Sequence, residues 1–218
     1  MPADVPFHLG RGDTGPVQQS SVTCGSASLT VARMLVSADF GQWIVYGIDP
    51  KRGQPDSRSE PERFAEHEHA VMNRTNGIRA AGGRLNIPWP RSLGTPPWGA
   101  EKELEYGAAR PGAAYAMRLV RFGSSDALCA VHRDLVGLVR DGLPALLYIG
   151  NVWSPRHVTL VLPGGSSGSG GGGVDGGLDV YDPATGSVTE LAADRFASRT
   201  LDIAGWNVPW ITVQPRPA

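Results

Sequence analysis

The sequence predicts an α+β fold in which helices come first and the strands of an antiparallel sheet come second. Three stretches with helical spacing of apolar residues lie between residues 24 and 140, and five short strand-like stretches follow. This order is typical of domains whose helices are segregated from the sheet in sequence. We therefore expect the helices to pack on one side of the sheet.

The helices are predicted from the spacing of apolar side chains. Residues 24–36 carry a stripe with spacing i, i+4, i+7 and i+8, formed by Ala27, Val31, Met34 and Leu35. Thr23 is the expected cap of this helix. A second helix is predicted over residues 61–81 and a third over residues 127–140, each followed by glycine. Between them, residues 86–99 contain four prolines and two tryptophans, which indicates a surface excursion.

The strands are predicted from short runs of apolar and β-branched residues bounded by turn residues. The predicted strands cover residues 145–149, 157–162, 178–181, 187–191 and 211–213. Together, these elements predict an N-terminal helix packed on a C-terminal antiparallel sheet.

Glycine is abundant but concentrated. Of the 29 glycines, nine lie in residues 164–177, together with serine, which predicts a flexible Gly/Ser loop. The rest of the chain has an ordinary composition, with 41% hydrophobic residues and six tryptophans available for a core. At this length, one domain over residues 1–218 is expected.

Charge and hydropathy argue against several classes of function. Twenty basic and 21 acidic residues leave a formal charge of -1, so no basic field for nucleic acid is predicted. The longest apolar stretch, residues 143–153, is far shorter than the roughly 20 residues of a membrane span. Residues 1–4 do not resemble a secretory signal, so we expect a cytoplasmic protein, with export by a signal-less route left open.

The two cysteines have different settings. They are far apart in sequence, so a disulfide framework is not expected. Cys129 falls among apolar residues of the third helix and is predicted to pack in the core. Cys24 stands at the expected first turn of a helix, where unpaired N–H groups and the helix dipole favour a thiolate. Gly25 removes side-chain bulk beside the sulfur. Cys24 is therefore the candidate nucleophile, with its backbone N–H as a candidate oxyanion donor.

A thiol nucleophile requires an imidazole base and a group that orients it. Only one of the five histidines, His157, begins a predicted strand, and the next predicted strand runs directly into Asp182. In an antiparallel hairpin these two ends are neighbours, whatever the length of the loop between the strands. A register that places His157 opposite Asp182 would put both side chains on one face, about 5 Å apart.

These motifs resemble the papain-like cysteine peptidases, and within them the bacteriocin-processing family that cleaves leader peptides after a double glycine. The resemblance rests on Gln18 six residues before Cys24, on Cys24-Gly25-x-Ala27, on His157-Val158 and on Tyr181-Asp182-Pro183 followed by Gly186. It implies a papain-like fold with Cys24 as nucleophile, His157 as base, Asp182 as orienting residue and Gln18 as oxyanion donor.

Other residues compete for some of these roles. Asn151 and Asp179 are alternatives for the third position, and Gln19 is an alternative oxyanion donor. Asp182 also opens a sequence typical of a turn between strands. Residues 66–69, Glu-His-Glu-His, lack the second histidine of a zinc-protease motif and are interpreted as a solvated helix face.

The sequence thus predicts a papain-like thiol hydrolase that attacks a peptide or isopeptide bond in a peptide or protein substrate. No metal or cofactor is implied. One alternative keeps the triad but makes the protein a transglutaminase-like acyltransferase or a deamidase acting on partner proteins. The other is a non-catalytic binding module that retains the fold.

Overall fold

A computed structural model describes residues 7–48, 54–139, 142–164 and 177–217. The protein has an α+β fold with an N-terminal helix and a six-stranded antiparallel sheet, as the sequence predicts at this level. The helices are α1 (Cys24–Val36), α2 (Ala38–Tyr46), α3 (Glu60–Asn76), α4 (Pro97–Glu103), α5 (Ser125–Val139) and α6 (Ala193–Ser198). One π-helical turn, Leu104–Ala108, continues α4.

The strands are β1 (Tyr115–Leu119), β2 (Ala145–Gly150), β3 (Pro155–Val161), β4 (Leu178–Tyr181), β5 (Val188–Leu191) and β6 (Val208–Pro215). Their order across the sheet is β1-β6-β2-β3-β4-β5. The central strand β2 is buried along its whole length. Consecutive strands β2 to β5 are neighbours, while β6 inserts between β1 and β2 and completes the sheet.

The sheet is covered by helices on both faces, so the expectation that they pack on one side is wrong. One core lies between the sheet and the first helices; its strand residues include Leu146, Tyr148, Val158 and Leu160. A second core lies on the opposite face, where α5 and α6 pack against residues that include Leu147, Ile149, Val161 and Val180. The continuous apolar runs in β2 and β3 already contained this signal, because a strand buried on both faces does not alternate.

Helix α1 has the predicted bounds, but α3 ends earlier than predicted. It stops at Asn76, and the backbone N–H of Gly77 caps it by donating to the Asn73 carbonyl. A side chain at position 77 would approach that carbonyl oxygen to 2.6 Å, so glycine is required at this close approach. Four elements were not predicted: α2, α4, α6 and β1. They are short, and elements of this length carry little periodicity.

The segment between α3 and α4 is not simply a surface excursion. The side-chain amide of Asn76 donates to the carbonyl oxygen of Gly94 at 2.8 Å, and Asn86 donates to the Thr75 carbonyl at 2.6 Å. Thr95 is buried and Trp89 is half-buried. These bonds hold the segment against the end of α3, and it reaches α1, where the candidate nucleophile is located.

Two further predictions concern Cys129 and the Gly/Ser loop. Cys129 lies on the exposed face of α5, so the prediction that it packs in the core is wrong, and both cysteines are free thiols. The predicted Gly/Ser loop falls almost wholly on residues 165–176, which lie outside the described residues. The strand ends that flank it, Leu162 and Leu178, are at the opposite end of the β3–β4 hairpin from His157.

Among the described helices, none combines the length and the apolar character that crossing a membrane requires.

Candidate active site

Cys24 is the first residue of α1, as predicted, and it lines a cavity of about 480 Å³. The residue is 5% exposed. The first N–H groups of a helix have no partner within the helix and lie at the positive end of its dipole, which favours negative charge nearby. Thr23 does not cap them with its side chain, contrary to the prediction; its hydroxyl donates to the Ser20 carbonyl at 2.9 Å.

Gly25 is required by a close approach of Thr95 to the first turn of α1. A β-carbon on residue 25 would lie 2.5 Å from the Thr95 Cβ and 2.7 Å from its Oγ1. Contacts this short do not occur between carbon atoms in folded proteins, so any other residue would displace the wall formed by residues 94–96 or the start of α1. The glycine next to Cys24 therefore has a packing reason that the sequence did not reveal.

His157 and Asp182 meet across the β3–β4 hairpin, with Nε2 of the imidazole 2.6 Å from Oδ1 of the carboxylate. The predicted register is wrong by two residues. Leu160 pairs with Tyr181, and continuing that pairing places Asp182 opposite Thr159. Because side chains alternate with a period of two, a shift of two residues leaves both side chains on the same side of the hairpin. Diagonal neighbours remain within reach of a long side chain.

Asp182 both contacts His157 and opens the turn that follows β4. Its Oδ1 also accepts the backbone N–H of Ala184 at 2.9 Å, and its Oδ2 accepts the Thr185 hydroxyl at 3.1 Å. Its own carbonyl accepts the N–H of Gly186 at 2.8 Å, which closes the turn. Gly186 has a φ of 74°, a conformation that favours glycine. The turn thus holds the carboxylate in place to receive the imidazole N–H.

The electrostatic environment favours the charged forms of this pair. Burial on its own would lower the pKa of His157, but hydrogen bonds to Asp182 and to Cys24 outweigh it and raise that pKa to about 9. Burial opposes ionisation of Asp182 as well, yet the hydrogen bond from His157 and that from Ala184 lower its pKa. Because Nε2 is bound to Asp182, Nδ1 is the ring nitrogen left for the Cys24 sulfur. Asp182 thus contacts His157, and His157 lies beside Cys24 at the wall of the same cavity.

The cavity extends from Cys24 and His157 along the segment that joins α3 to α4. Trp89 and Trp98 form one part of its wall and contact each other edge to face, with ring centroids 5.1 Å apart. Tyr148 lies beneath, and its hydroxyl donates to the Thr95 carbonyl at 3.1 Å. The cavity is lined by Ser21, Val22, Cys24, Trp89, Ser92, Leu93, Gly94, Thr95, Pro96, Pro97, Trp98, Tyr148, Pro155, Arg156, His157, Val158 and Ile211.

Gln18 and Gln19 are not among the residues that line this cavity. The side-chain amide of Gln18 donates to the Ser20 carbonyl at 2.6 Å, and its Oε1 is buried with no hydrogen-bond partner among the described residues. Its backbone N–H donates to the Pro183 carbonyl at 2.8 Å, which ties the segment before α1 to the turn that holds Asp182. The Gln19 side chain is exposed and bonds to the Val17 carbonyl at 3.2 Å.

Glu68 is a site-supporting residue that the sequence interpretation missed. It is 0% exposed and His67 is also buried, so the prediction of a solvated helix face over residues 66–69 is wrong for these two residues, while Glu66 and His69 are exposed. Both of its carboxylate oxygens lie 3.2 Å from the backbone nitrogen of Gln19. Burial raises the pKa of Glu68 in spite of these bonds. The buried stripe of α3, with spacing i, i+3, i+4, i+7 and i+8, was the available signal: Phe64, His67, Glu68, Val71 and Met72.

The two alternatives for the third triad position are engaged elsewhere. Oδ1 of Asn151 accepts the backbone N–H groups of Trp153 and Ser154, at 2.8 and 3.0 Å, in the β2–β3 connection. Oδ1 of Asp179 accepts two bonds from the Arg11 guanidinium, at 2.9 and 2.8 Å. Of the three acidic or amide candidates, the structure brings Asp182 to His157.

Within the described ranges, no group of three or more His, Cys, Asp or Glu side chains is arranged to hold a metal ion. His67, from the Glu-His-Glu-His segment, instead contacts Thr30 Oγ1 at 3.3 Å and the Arg33 guanidinium at 3.0 Å. Burial and the neighbouring Arg33 lower the pKa of His67 to about 3, so it is a neutral core residue.

Neither the models of known protein families nor the curated protein sequences include a match to this chain. The geometry of the site therefore carries the inference about function.

Proposed function

We propose that this protein is a papain-like thiol hydrolase that cleaves a peptide or isopeptide bond. Cys24 is the nucleophile, His157 carries the proton and Asp182 orients the imidazole. The observation that carries the proposal is the hydrogen-bonded pair of Asp182 and His157, with His157 beside Cys24 at the wall of a cavity that can admit a substrate. A buried imidazole with a raised pKa between a thiol and a carboxylate is the arrangement that nucleophilic thiol catalysis requires.

The reaction follows from the positions of these groups. The Cys24 sulfur attacks the carbonyl carbon of the scissile bond, and His157 donates its Nδ1 proton to the leaving amine, which gives a thioester. Water then attacks the thioester carbon while His157 accepts its proton. The carboxylic acid leaves and Cys24 is restored. Throughout, Asp182 accepts the Nε2 proton in a hydrogen bond, which fixes the ring orientation.

The oxyanion formed in both steps needs hydrogen-bond donors close to the sulfur. The N–H groups in the first turn of α1, which begins at Cys24, are positioned for this role. The amide of Gln18 is the second donor that we propose. In this structure the amide donates to Ser20 and does not line the cavity, so the Gln18 side chain must turn toward Cys24 when substrate binds. Its Oε1 has no hydrogen-bond partner among the described residues, so this turn breaks no bond at that atom.

Two features of the structure support the resemblance to the papain-like fold. The helix that bears the cysteine packs on the sheet that bears the histidine and the acid, and the Ser28 hydroxyl donates to the Val158 carbonyl at 3.3 Å across that contact. The chain order of nucleophile, base and orienting residue is also that implied by the resemblance. The two free thiols agree with a reducing compartment such as the cytoplasm, where we propose that the protein acts on peptides or proteins.

The test of the nucleophile is selective alkylation. Cys129 is exposed and Cys24 is buried, so accessibility alone predicts that Cys129 reacts first with iodoacetamide. An activated Cys24 should reverse this order at pH 7, as measured by mass spectrometry of the labelled peptides over time. The His157→Gln variant should lose the preference. Faster labelling of Cys129 than of Cys24 in the unsubstituted protein would contradict the proposal.

The test of the reaction uses an activated acyl donor, acetyl-Phe-Gly p-nitrophenyl ester. A Cys129→Ser protein should release p-nitrophenolate catalytically and pass through a thioester on Cys24 that is detectable by intact mass. Added hydroxylamine then separates hydrolysis from acyl transfer. Release of the free acid in preference to the hydroxamate supports hydrolysis. Hydroxamate as the dominant product at low amine concentration would favour an acyltransferase.

A further inference from the structure

Six large apolar side chains are exposed around the opening of the cavity that Cys24 lines. They lie in the segment between α3 and α4, in the loop after β1 and in the β2–β3 connection. Scattered apolar residues at a protein surface are ordinary, but a group of this size near one opening marks an interaction site. We call this group the apolar rim, and its members are Leu85, Ile87, Leu93, Phe122, Val152 and Trp153.

The first three members of the apolar rim follow the segment between α3 and α4. Leu93 is exposed and also lines the cavity. The carbonyl of Ile87 accepts the indole N–H of Trp98, a residue of the cavity wall, at 3.1 Å. The Lys102 ammonium donates to the Leu85 carbonyl at 2.6 Å, which holds this part of the segment beside α4. One side of the opening is therefore edged by exposed aliphatic side chains.

The other three members come from two loops that are bonded to each other. The Arg121 guanidinium donates to the Val152 carbonyl at 3.0 Å, which joins the loop after β1 to the β2–β3 connection. Phe122 directly follows Arg121, and Trp153 directly follows Val152. The connection then continues into Arg156, which is exposed and lines the cavity. Both sides of the apolar rim thus belong to the same opening.

Arginines without acidic partners accompany the apolar rim. Residues 77–100 and residues 106–125 each contain three arginines and no acidic residue, and residues 142–163 contain one arginine and no acidic residue. Because the formal charge of the whole chain is -1, this positive excess is local. Among the described residues, five of these arginines form no ion pair with an acidic side chain: Arg79, Arg84, Arg91, Arg121 and Arg156.

Exposed rings next to unpaired arginines fit an anionic lipid surface better than a folded protein. Trp153 is 85% exposed and Phe122 is 77% exposed, so both rings project from their loops. A fluid bilayer interface receives projecting rings without a matching cavity, whereas a protein partner must supply one. Tryptophan is enriched at the headgroup level of membranes, and arginines near an anionic bilayer add electrostatic attraction. Surfaces that lie on a membrane combine these two features.

We propose that the apolar rim is a membrane-docking surface that places the opening of the cavity against an anionic lipid bilayer. Phe122 and Trp153 insert their rings at the headgroup boundary, and the arginines that accompany the apolar rim bind lipid phosphates. The protein then lies on the bilayer and does not span it. This docking does not depend on the chemistry at Cys24, so the docking and the proposed function fail separately in their tests.

The test is co-sedimentation of the intact chain with lipid vesicles at about 0.1 M salt. One set of vesicles is phosphatidylcholine alone, and the other contains about one quarter phosphatidylglycerol. The anionic vesicles should bind at least about tenfold more tightly, because each arginine near an anionic surface contributes about fivefold. Raising the salt to about 0.5 M should weaken this binding, since it shortens the range of the electrostatic attraction.

Variants of exposed residues assign the binding to the apolar rim. Trp153→Ser should weaken binding to anionic vesicles about tenfold, because a large apolar side chain is lost. Tyr46→Ser is the matched control, since this exposed ring ends α2 and lies outside the apolar rim. Arg156→Gln should weaken binding about fivefold. Its control is Arg133→Gln, an exposed arginine of α5, which packs on the other face of the sheet.

Insertion of the rings is measured by quenching of tryptophan fluorescence with brominated acyl chains. The unsubstituted protein should be quenched when it binds anionic vesicles. Trp153→Phe keeps an apolar ring, so it should retain the binding but lose a large part of the quenching.

Equal binding to neutral and anionic vesicles, or binding to neither, would overturn the docking surface. Unchanged binding in Trp153→Ser together with unchanged quenching in Trp153→Phe would overturn the insertion of this ring. Dimerisation in solution that Trp153→Ser abolishes, without any binding to vesicles, would assign the apolar rim to a second copy of this chain and overturn the membrane as its partner.

Discussion

His157 and Asp182 are displaced by two residues in the register of the β3–β4 hairpin, yet their side chains meet with 2.6 Å between Nε2 and Oδ1. The turn over residues 182–186 makes this possible. It binds both carboxylate oxygens of Asp182, at Ala184 and Thr185, and so holds the carboxylate where the imidazole reaches it diagonally. The pair is buried at the end of the hairpin opposite the Gly/Ser segment, so the length of that segment does not change how the two side chains meet.

Asp182→Asn should lower the pKa of His157 and slow the labelling of Cys24. A neighbouring carboxylate raises the pKa of an imidazole by about 1–3 units, so its loss should move the His157 titration down by at least about one unit. NMR of the imidazole measures this shift, and the iodoacetamide rate at pH 7 should fall about tenfold with it.

Asp179→Asn is the matched control, because Asp179 lies on the same strand but bonds to Arg11. Its removal should reduce thermal stability without moving the His157 titration. An unchanged His157 titration in Asp182→Asn would show that this carboxylate does not orient the base.

The pH dependence of stability should reveal the raised pKa of His157. Folding raises this pKa from an ordinary value near 6.5 to about 9, so the folded state binds the proton more tightly than the unfolded state. The resulting stabilisation is fully present below pH 6.5 and is lost as the pH rises through 9. It amounts to about 3 kcal/mol for a shift of this size.

Urea unfolding at pH 6 and pH 9.5 measures this effect. The free energy of unfolding should fall over this interval, and it should fall less in His157→Gln, which has no imidazole to titrate. Equal losses in the two proteins would mean that the proton on His157 is not stabilised by folding.

The sequence could predict that Cys24, His157 and Asp182 come together because each of them is placed by local or topological rules. Cys24 begins a stripe of helical periodicity, and a hairpin brings its two outer ends together, so His157 and Asp182 meet without knowledge of the register. The remaining parts of the site depend on long-range packing. Thr95 reaches Gly25 only because Asn76 binds Gly94 from the end of α3, and no periodic pattern encodes such a contact.

The fold shows the same division between local and long-range information. The bounds of α1 and the positions of β2 to β5 followed from periodicity and turn residues, whereas β1 was not predicted and β6 is longer than its predicted range, 211–213. The placement of α5 on the second face of the sheet did not, because an amphipathic stripe shows that a helix is half-buried but not which surface it covers. The burial of Glu68 was not predicted because a charged side chain suggests an exposed position. Its place in the buried stripe of α3 nevertheless indicated that it is buried.

Gly25→Ala should damage both stability and reactivity. The new methyl group would lie 2.5 Å from the Thr95 Cβ, so either α1 or the wall must move. Overpacking of this kind costs about 1–3 kcal/mol, and the displacement occurs beside the nucleophile. The midpoint temperature of thermal unfolding should decrease, and so should the rate at which iodoacetamide labels Cys24.

Gly137→Ala is the control, because Gly137 lies in helix α5 with no atom within 4 Å of a β-carbon at that position. It should raise stability by about 0.5–1 kcal/mol through helix propensity and leave Cys24 labelling unchanged. If Gly25→Ala were as stable and as reactive as the unsubstituted protein, the close approach to Thr95 would not constrain the site.

Gln18→Ala should separate catalysis from thiol reactivity. Alkylation by iodoacetamide forms no oxyanion, so its rate at Cys24 should change less than about twofold. Hydrolysis of acetyl-Phe-Gly p-nitrophenyl ester does form one, and loss of an oxyanion donor lowers the rate by about 10²–10³-fold. Gln19→Ala is the matched control, since its side chain is exposed and bonds to the Val17 carbonyl, and it should retain the ester rate. A full ester rate in Gln18→Ala would mean that the amide stays on the Ser20 carbonyl during turnover and that the N–H groups of α1 stabilise the oxyanion without it.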